Sequence, residues 1–274
     1  MLEHIILGAI QGVTEWVPVS SKTCVMLAKT HLFGSQESTN ELLRYALLLH
    51  LGTFGAALTF FWKDILGAFR AIVPGRSAET KDRKVLLFLI TTTILTGIGL
   101  VLNQHFALLV HRAPNAKTAL TGLIGIMLLI TGALQIRTAR LGQKTSANLS
   151  WIDGVLLGMA QALATLPGMS RAGTTMAALS WRGFDQEHTL KLSFLMSLPV
   201  IFAGNILLNY RAFLVLDERW IGVLSAFGVG LLSVRGILTW AKKVRFGLFL
   251  VGIGGILLTA TALTAMIPWL RLID

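Results

Sequence analysis

Two stretches of an otherwise apolar chain, residues 11–24 and 166–175, gather the side chains best able to do chemistry. The first reads Gln11-Gly12-Val13-Thr14-Glu15-Trp16-Val17-Pro18-Val19-Ser20-Ser21-Lys22-Thr23-Cys24, and the second Leu166-Pro167-Gly168-Met169-Ser170-Arg171-Ala172-Gly173-Thr174-Thr175. Gln11 and Glu15 are four apart, so on a helix they share one face. Pro18 ends that helix, and Ser20 is suited to cap a second one running to about Lys29. Pro167-Gly168 and Ser170 repeat the arrangement ahead of a helix running to about Trp181. Each break therefore offers a helix N-terminus, with free N–H groups and the positive end of the dipole. A guanidinium, several hydroxyls, two helix N-termini and one carboxylate together suit a phosphate group. Arginine binds phosphate bidentately, a hydroxyl donates to it or attacks it, and a carboxylate holds a divalent cation or takes a proton. Apolar surroundings point to the phosphate of a lipid.

Each of these residues also has a plainer role. Ser20, Thr23 and Thr174 serve equally well as caps and packing groups. Glu15 and Arg171 do not, because a charge at membrane depth is costly and marks a functional site with a partner. An ion pair between the two would still answer a structural need alone. Lys22 either joins the site or reaches for the outer interface. His50, in the middle of an apolar run, reads as a satisfied core histidine. Nowhere do His, Cys, Asp and Glu fall at the spacing of a structural zinc site.

The elements that must hold these groups are membrane spans. The chain has 274 residues, 54% hydrophobic and 14% charged, with a mean hydropathy of +0.71; a soluble domain of this length needs more charge to cover its surface. Apolar runs able to cross a bilayer recur at 45–62, 85–101, 119–136, 192–208, 221–234 and 246–267. The net charge of +11 does not imply nucleic acid, because the basic residues fall in short loops where the positive-inside rule accounts for them. Lys63–Lys84, read as a loop, holds six Lys/Arg, Arg137–Ser150 three and Arg235–Arg245 four. These loops are expected in the cytoplasm and both termini outside. Segments 5–29 and 152–181, broken by proline and polar residues, cannot be simple spans; by parity they are re-entrant hairpins entering from opposite faces. At an offset of 150, Leu7, Gly8, Gln11 and Ser20 match Leu157, Gly158, Gln161 and Ser170. The expected fold is all-α: six transmembrane helices plus two re-entrant hairpins, in an inverted-topology repeat of residues 1–140 and 150–274. The lone Cys24 excludes an intrachain disulfide, and residues 1–29 show no removable signal peptide.

Gln11-x-x-x-Glu15 followed by Pro18-Val19-Ser20-Ser21, together with Pro167-Gly168-Met169-Ser170-Arg171 ending at Thr175, resembles the two signature motifs of the undecaprenyl-diphosphate phosphatases, the bacitracin-resistance family. The likeness covers nearly the whole chain. It implies a cytoplasmic-membrane enzyme that removes the terminal phosphate of undecaprenyl diphosphate for carrier-lipid recycling. It also implies a site opening to the outer face and a divalent cation, magnesium or calcium, and it allows a homodimer. On this resemblance Glu15 would act with the metal or as base, Ser21 as nucleophile and Arg171 as phosphate clamp. Ser20, Ser170 and Thr175 would hydrogen-bond the substrate, with Gln11 and Thr174 beside them. The sequence departs from the family at Gln11, where a first glutamate is usual, at Cys24, where a histidine is usual, and at Ala172 for a serine. Gln11 and Cys24 each replace a group that could move a proton or bind metal, and Cys24 lacks the Cys-x5-Arg loop of thiolate phosphatases. The second reading is a polyprenyl-phosphate transporter or flippase, or a lipid-phosphate binder without turnover.

Overall fold

The computed structural model describes residues 1–17, 20–72, 79–111, 116–137, 142–165, 170–215, 217–241 and 246–266. Pro18, Pro167, Gly168 and Ser77 lie outside them. The described residues form eleven α-helices: α1 Leu2–Thr14, α2 Ser21–His31, α3 Thr39–Phe60, α4 Trp62–Arg70, α5 Thr80–His111, α6 Ala116–Arg137, α7 Trp151–Leu163, α8 Arg171–Trp181, α9 Gln186–Leu214, α10 Arg219–Ala241 and α11 Phe246–Met266.

The helix starts follow from local chemistry. Ser38 and Glu41 form a capping box at α3, as Ser150 and Asp153 do at α7. Asp185 caps α9 by accepting the His188 N–H at 2.8 Å. Such caps satisfy backbone donors that have no partner inside the helix.

Polarity in this protein runs from inside to outside. Along α5, Ile90, Ile94 and Ile98 face outward, while Thr92 and Thr96 on the other side are fully buried. Thr53, Ser193, Ser197, Asn205 and Asn209 are likewise buried, while Phe202, Leu207, Leu224 and Leu232 are exposed. A helix facing water would carry the reverse pattern; this one suits a hydrocarbon solvent. Asn40–Phe60, Thr80–Leu102 and Gln186–Leu214 are each long and apolar enough to cross a membrane. The protein is thus an all-helical integral membrane protein.

One expectation is corrected. The first part of Lys63–Lys84 is not a loop but helix α4. The chain breaks from α3 at Phe61, whose φ of −101° and ψ of 19° are not helical. It then lays Gly67 and Ala68 into the interior and is tied to α9 by Lys191 Nζ, which donates to Asp64 Oδ1 at 3.2 Å.

Packing crosses between the two halves of the chain. Helix α1 lies along α10, and α7 lies along α5; α3 meets both α9 and α10, and α6 meets α11. The close approaches require residues without side chains. A Cβ on Gly8 would stand 2.2 Å from the Gly222 carbonyl oxygen, and one on Gly52 would stand 2.2 Å from that of Val223. Small residues let helices without a water-driven hydrophobic force gain contact area instead. Asn205 and Asn209 on α9 donate to the Leu47 and Arg44 carbonyls of α3 at 2.9 and 3.0 Å. These bonds fix α3 and α9, the two helices against which the broken segments end.

Candidate active site

The two broken segments meet at their breaks. Helix α1 ends at Thr14, with Glu15 as its C-cap, and α2 begins at Ser21 after the N-cap Ser20. Ser170 is the N-cap of α8, accepting the Gly173 N–H at 3.2 Å. The Ser20 hydroxyl makes no such cap; it accepts instead from Thr23 Oγ1 at 2.9 Å.

Glu15 is the centre of the cluster and is 5% exposed. Its Oε1 accepts from Arg171 Nη2, 156 residues away in sequence. Its Oε2 accepts from Gln11 Nε2 at 2.9 Å and from Ser21 Oγ at 2.8 Å, with His50 Nε2 at 3.2 Å. Arg171 also donates from Nη1 to the Ser193 carbonyl at 3.1 Å, and its guanidinium lies over the Phe194 ring at 5.7 Å. Thr175 Oγ1 stands 2.7 Å from Ser193 Oγ, on the same turn of α9 that receives Arg171. Trp16, completely buried, packs edge-on against Phe194 with ring centroids 4.9 Å apart. The i, i+4 face expected of Gln11 and Glu15 is present, and so is the Glu15–Arg171 pair.

His50 is where sequence reasoning fell short. It is buried and satisfied, as expected of a core histidine, but its partners are those of the site: Nδ1 lies 2.6 Å from the Ala46 carbonyl oxygen, while Nε2 reaches Glu15 and stands 3.3 Å from Ser21 Oγ. A signal was available, because an ionisable residue inside an apolar span is by default a functional group with a partner. Ser193 and Phe194 carried no comparable signal, being a serine and a phenylalanine among many on apolar helices.

Lys22 and Cys24 are half-buried on α2, and among the described residues no hydrogen bond joins either to Glu15. Thr174 is buried with its hydroxyl unpartnered among the described residues, as are Gln11 Oε1 and Trp16 Nε1. A buried polar atom left unpaired is costly, so these three atoms suit a site that closes around a polar guest.

The arrangement does not fit a divalent cation held by the protein alone. A carboxylate offers about four lone-pair positions, and four polar atoms already face those of Glu15, one of them the cationic Arg171. Among the described residues no three His, Cys, Asp or Glu side chains are placed to share an ion. What the cluster can do is hold an anion with Arg171 and present it to the Ser21 hydroxyl.

The family model for bacitracin resistance protein BacA matches residues 4–256. The chain belongs to the BacA family. Among curated relatives, the "Undecaprenyl-diphosphatase" of Methanococcoides burtonii is 37% identical over 92% of this chain and 95% of its own length. The protein of the same name from Methanothrix thermoacetophila is 34% identical over 96% and 97%. That of Thermodesulfovibrio yellowstonii is 31% identical over 91% and 92%. The BacA-family match spans both broken segments, so the Glu15–Arg171 cluster lies wholly inside it.

Proposed function

We propose that this chain is a membrane lipid-diphosphate phosphatase that converts undecaprenyl diphosphate to undecaprenyl phosphate and inorganic phosphate. One observation carries the reading: a buried hydroxyl, Ser21, shares the Glu15 carboxylate with Arg171, which comes from the other half of the chain. In a lipid-facing protein, a nucleophile beside an arginine fork suits phosphoryl transfer, where catalysis is mostly positioning and charge stabilisation. On substrate binding Arg171 turns from Glu15 to the terminal phosphate, and Ser21 Oγ attacks its phosphorus. Ser20, Ser170, Thr174 and Thr175 surround the phosphate, together with the free N–H groups that open α2 and α8. Gln11 holds Glu15 in place once Arg171 has left. The divalent cation implied by the family resemblance would have to be held largely by the substrate's own phosphates, as magnesium commonly is, and would supply neutralisation of their charge.

The six apolar runs are read as spans, and α1–α2 and α7–α8 as re-entrant hairpins from opposite faces. The crossed pairing of α1 with α10 and α7 with α5 supports an inverted repeat. The Lys/Arg-rich loops favour a topology with both termini outside the cytoplasmic membrane and a site that opens outward. The second reading, a polyprenyl-phosphate carrier, draws on the same crossed packing, which alternating-access proteins also use. Phosphate release from undecaprenyl diphosphate by purified protein in detergent separates the two, because a carrier releases none.

A further inference from the structure

An imidazole reaches Ser21 from another helix. His50 sits on α3 and is 6% exposed. Its Nδ1 lies 2.6 Å from the Ala46 carbonyl oxygen one turn earlier. A carbonyl only accepts, so Nδ1 carries a proton, and that bond fixes both the tautomer and the ring's orientation. In the neutral ring Nε2 is then the basic nitrogen, and it is the atom turned to the site. It stands 3.3 Å from Ser21 Oγ and 3.2 Å from Glu15 Oε2, and Ser21 Oγ stands 2.8 Å from the same Oε2. An alcohol, an imidazole nitrogen and a carboxylate oxygen thus lie within hydrogen-bond reach of one another, on α2, α3 and the end of α1. In the resting site the Ser21 hydroxyl donates to Glu15 Oε2; an imidazole is intrinsically a stronger base than a carboxylate, so once that hydroxyl turns to Nε2, 3.3 Å away, His50 takes its proton. This is the logic by which an activated nucleophile is recognised: an alcohol within reach of a base whose other nitrogen is held by a third group.

We propose that His50 is a catalytic residue, the general base for Ser21; the proposal rests on the phosphatase reading above. As Ser21 Oγ bonds to the terminal phosphorus, its proton passes to His50 Nε2. The bridging P–O bond breaks with its electron pair on the lipid monophosphate oxygen, to which His50 returns the proton. Water then attacks the phosphoserine phosphorus, giving one proton to His50 Nε2. The Oγ–P bond breaks, Ser21 recovers that proton, and inorganic phosphate leaves. Glu15 stands beside the imidazolium in both halves of the reaction and balances its charge.

The test is phosphate release from farnesyl diphosphate by purified full-length protein in detergent, with kcat and KM measured separately. Glutamine at position 50 keeps an amide that can hydrogen-bond to both neighbours but cannot carry a proton. His50→Gln is therefore expected to lose roughly 10²–10⁴-fold in kcat, the usual share of general acid–base catalysis, with little change in KM. His50→Ala is expected to lose as much and to recover part of it on addition of imidazole. A His50→Gln protein that turns over at the wild-type rate overturns the proposal. If His50→Gln does not elute as folded protein, His50→Ala decides: rescue by imidazole supports the role, and no rescue overturns it. A wild-type protein that releases no phosphate defeats the phosphatase reading itself, so the two failures are told apart.

Discussion

Glu15→Gln is a near-isosteric change with a large expected effect on both stability and turnover. Arg171 Nη2, Gln11 Nε2, Ser21 Oγ and His50 Nε2 all converge on this carboxylate. An amide puts an NH2 group where one of its oxygens accepts, so donor faces donor. Breaking a buried ion pair from one side costs about 3–5 kcal/mol. Arg171 is 19% exposed and keeps the Ser193 carbonyl and the Phe194 ring, which lowers the expected loss to about 2–3 kcal/mol. For a domain of this size 1 kcal/mol shifts Tm by roughly 2–4 °C, so the apparent Tm should fall by about 5–10 °C. The seven tryptophans make intrinsic fluorescence a suitable probe in detergent, at several scan rates because membrane proteins often unfold irreversibly. Pairing the change with Arg171→Met should recover much of the loss, since the orphaned cation goes with its partner. Phosphate release should be lost with Glu15→Gln in either background. A Glu15→Gln protein with unchanged Tm would refute the claim that this carboxylate anchors the junction of the two broken segments.

Three further outcomes follow from the same geometry. Arg171→Lys keeps the charge but loses the planar fork that spans Glu15 and the Ser193 carbonyl; phosphate release should fall by about 10²-fold or more, and near-wild-type turnover would remove the bidentate role. Magnesium titrated into lipid-free protein should give no binding heat by calorimetry, because Glu15 is paired with the cationic Arg171 and no second acidic ligand stands beside it among the described residues, whereas turnover should stop with EDTA and return with added magnesium. With Ser77→Cys on a Cys24→Ser background, an impermeant maleimide should label the protein only after permeabilisation; labelling in intact cells would reverse the assigned orientation.

Much of this protein was legible in its sequence for definite physical reasons. Long apolar runs announce helices, so the six runs fall within α3, α5, α6, α9, α10 and α11 to within a few residues, and three of these helices, α3, α5 and α9, are long and apolar enough to cross a membrane. Glu15 and Arg171 stood out because charge is rare at such depth, and the helix period put Gln11 on the same face as Glu15. Helix α4 was hidden because a charged stretch following a span looks like a loop unless its Gly67 and Ala68 are known to pack inward. His50 is legible as a buried, satisfied histidine, but its neighbours Glu15 and Ser21 depend on how α3 packs against the first broken segment. Nothing in the sequence indicated that Ser193 and Phe194 would receive Arg171, since that depends on where α8 meets α9.

The central question is whether Ser21 attacks the phosphorus or merely hydrogen-bonds the substrate. Purified wild-type protein, presented with undecaprenyl diphosphate and magnesium in detergent, should release inorganic phosphate and leave undecaprenyl phosphate. Ser21→Ala should release none while still binding the lipid, because Arg171 and the helix N-termini remain. The contradicting result is a wild-type protein that binds the lipid and releases no phosphate, or a Ser21→Ala variant that hydrolyses it as fast as wild type.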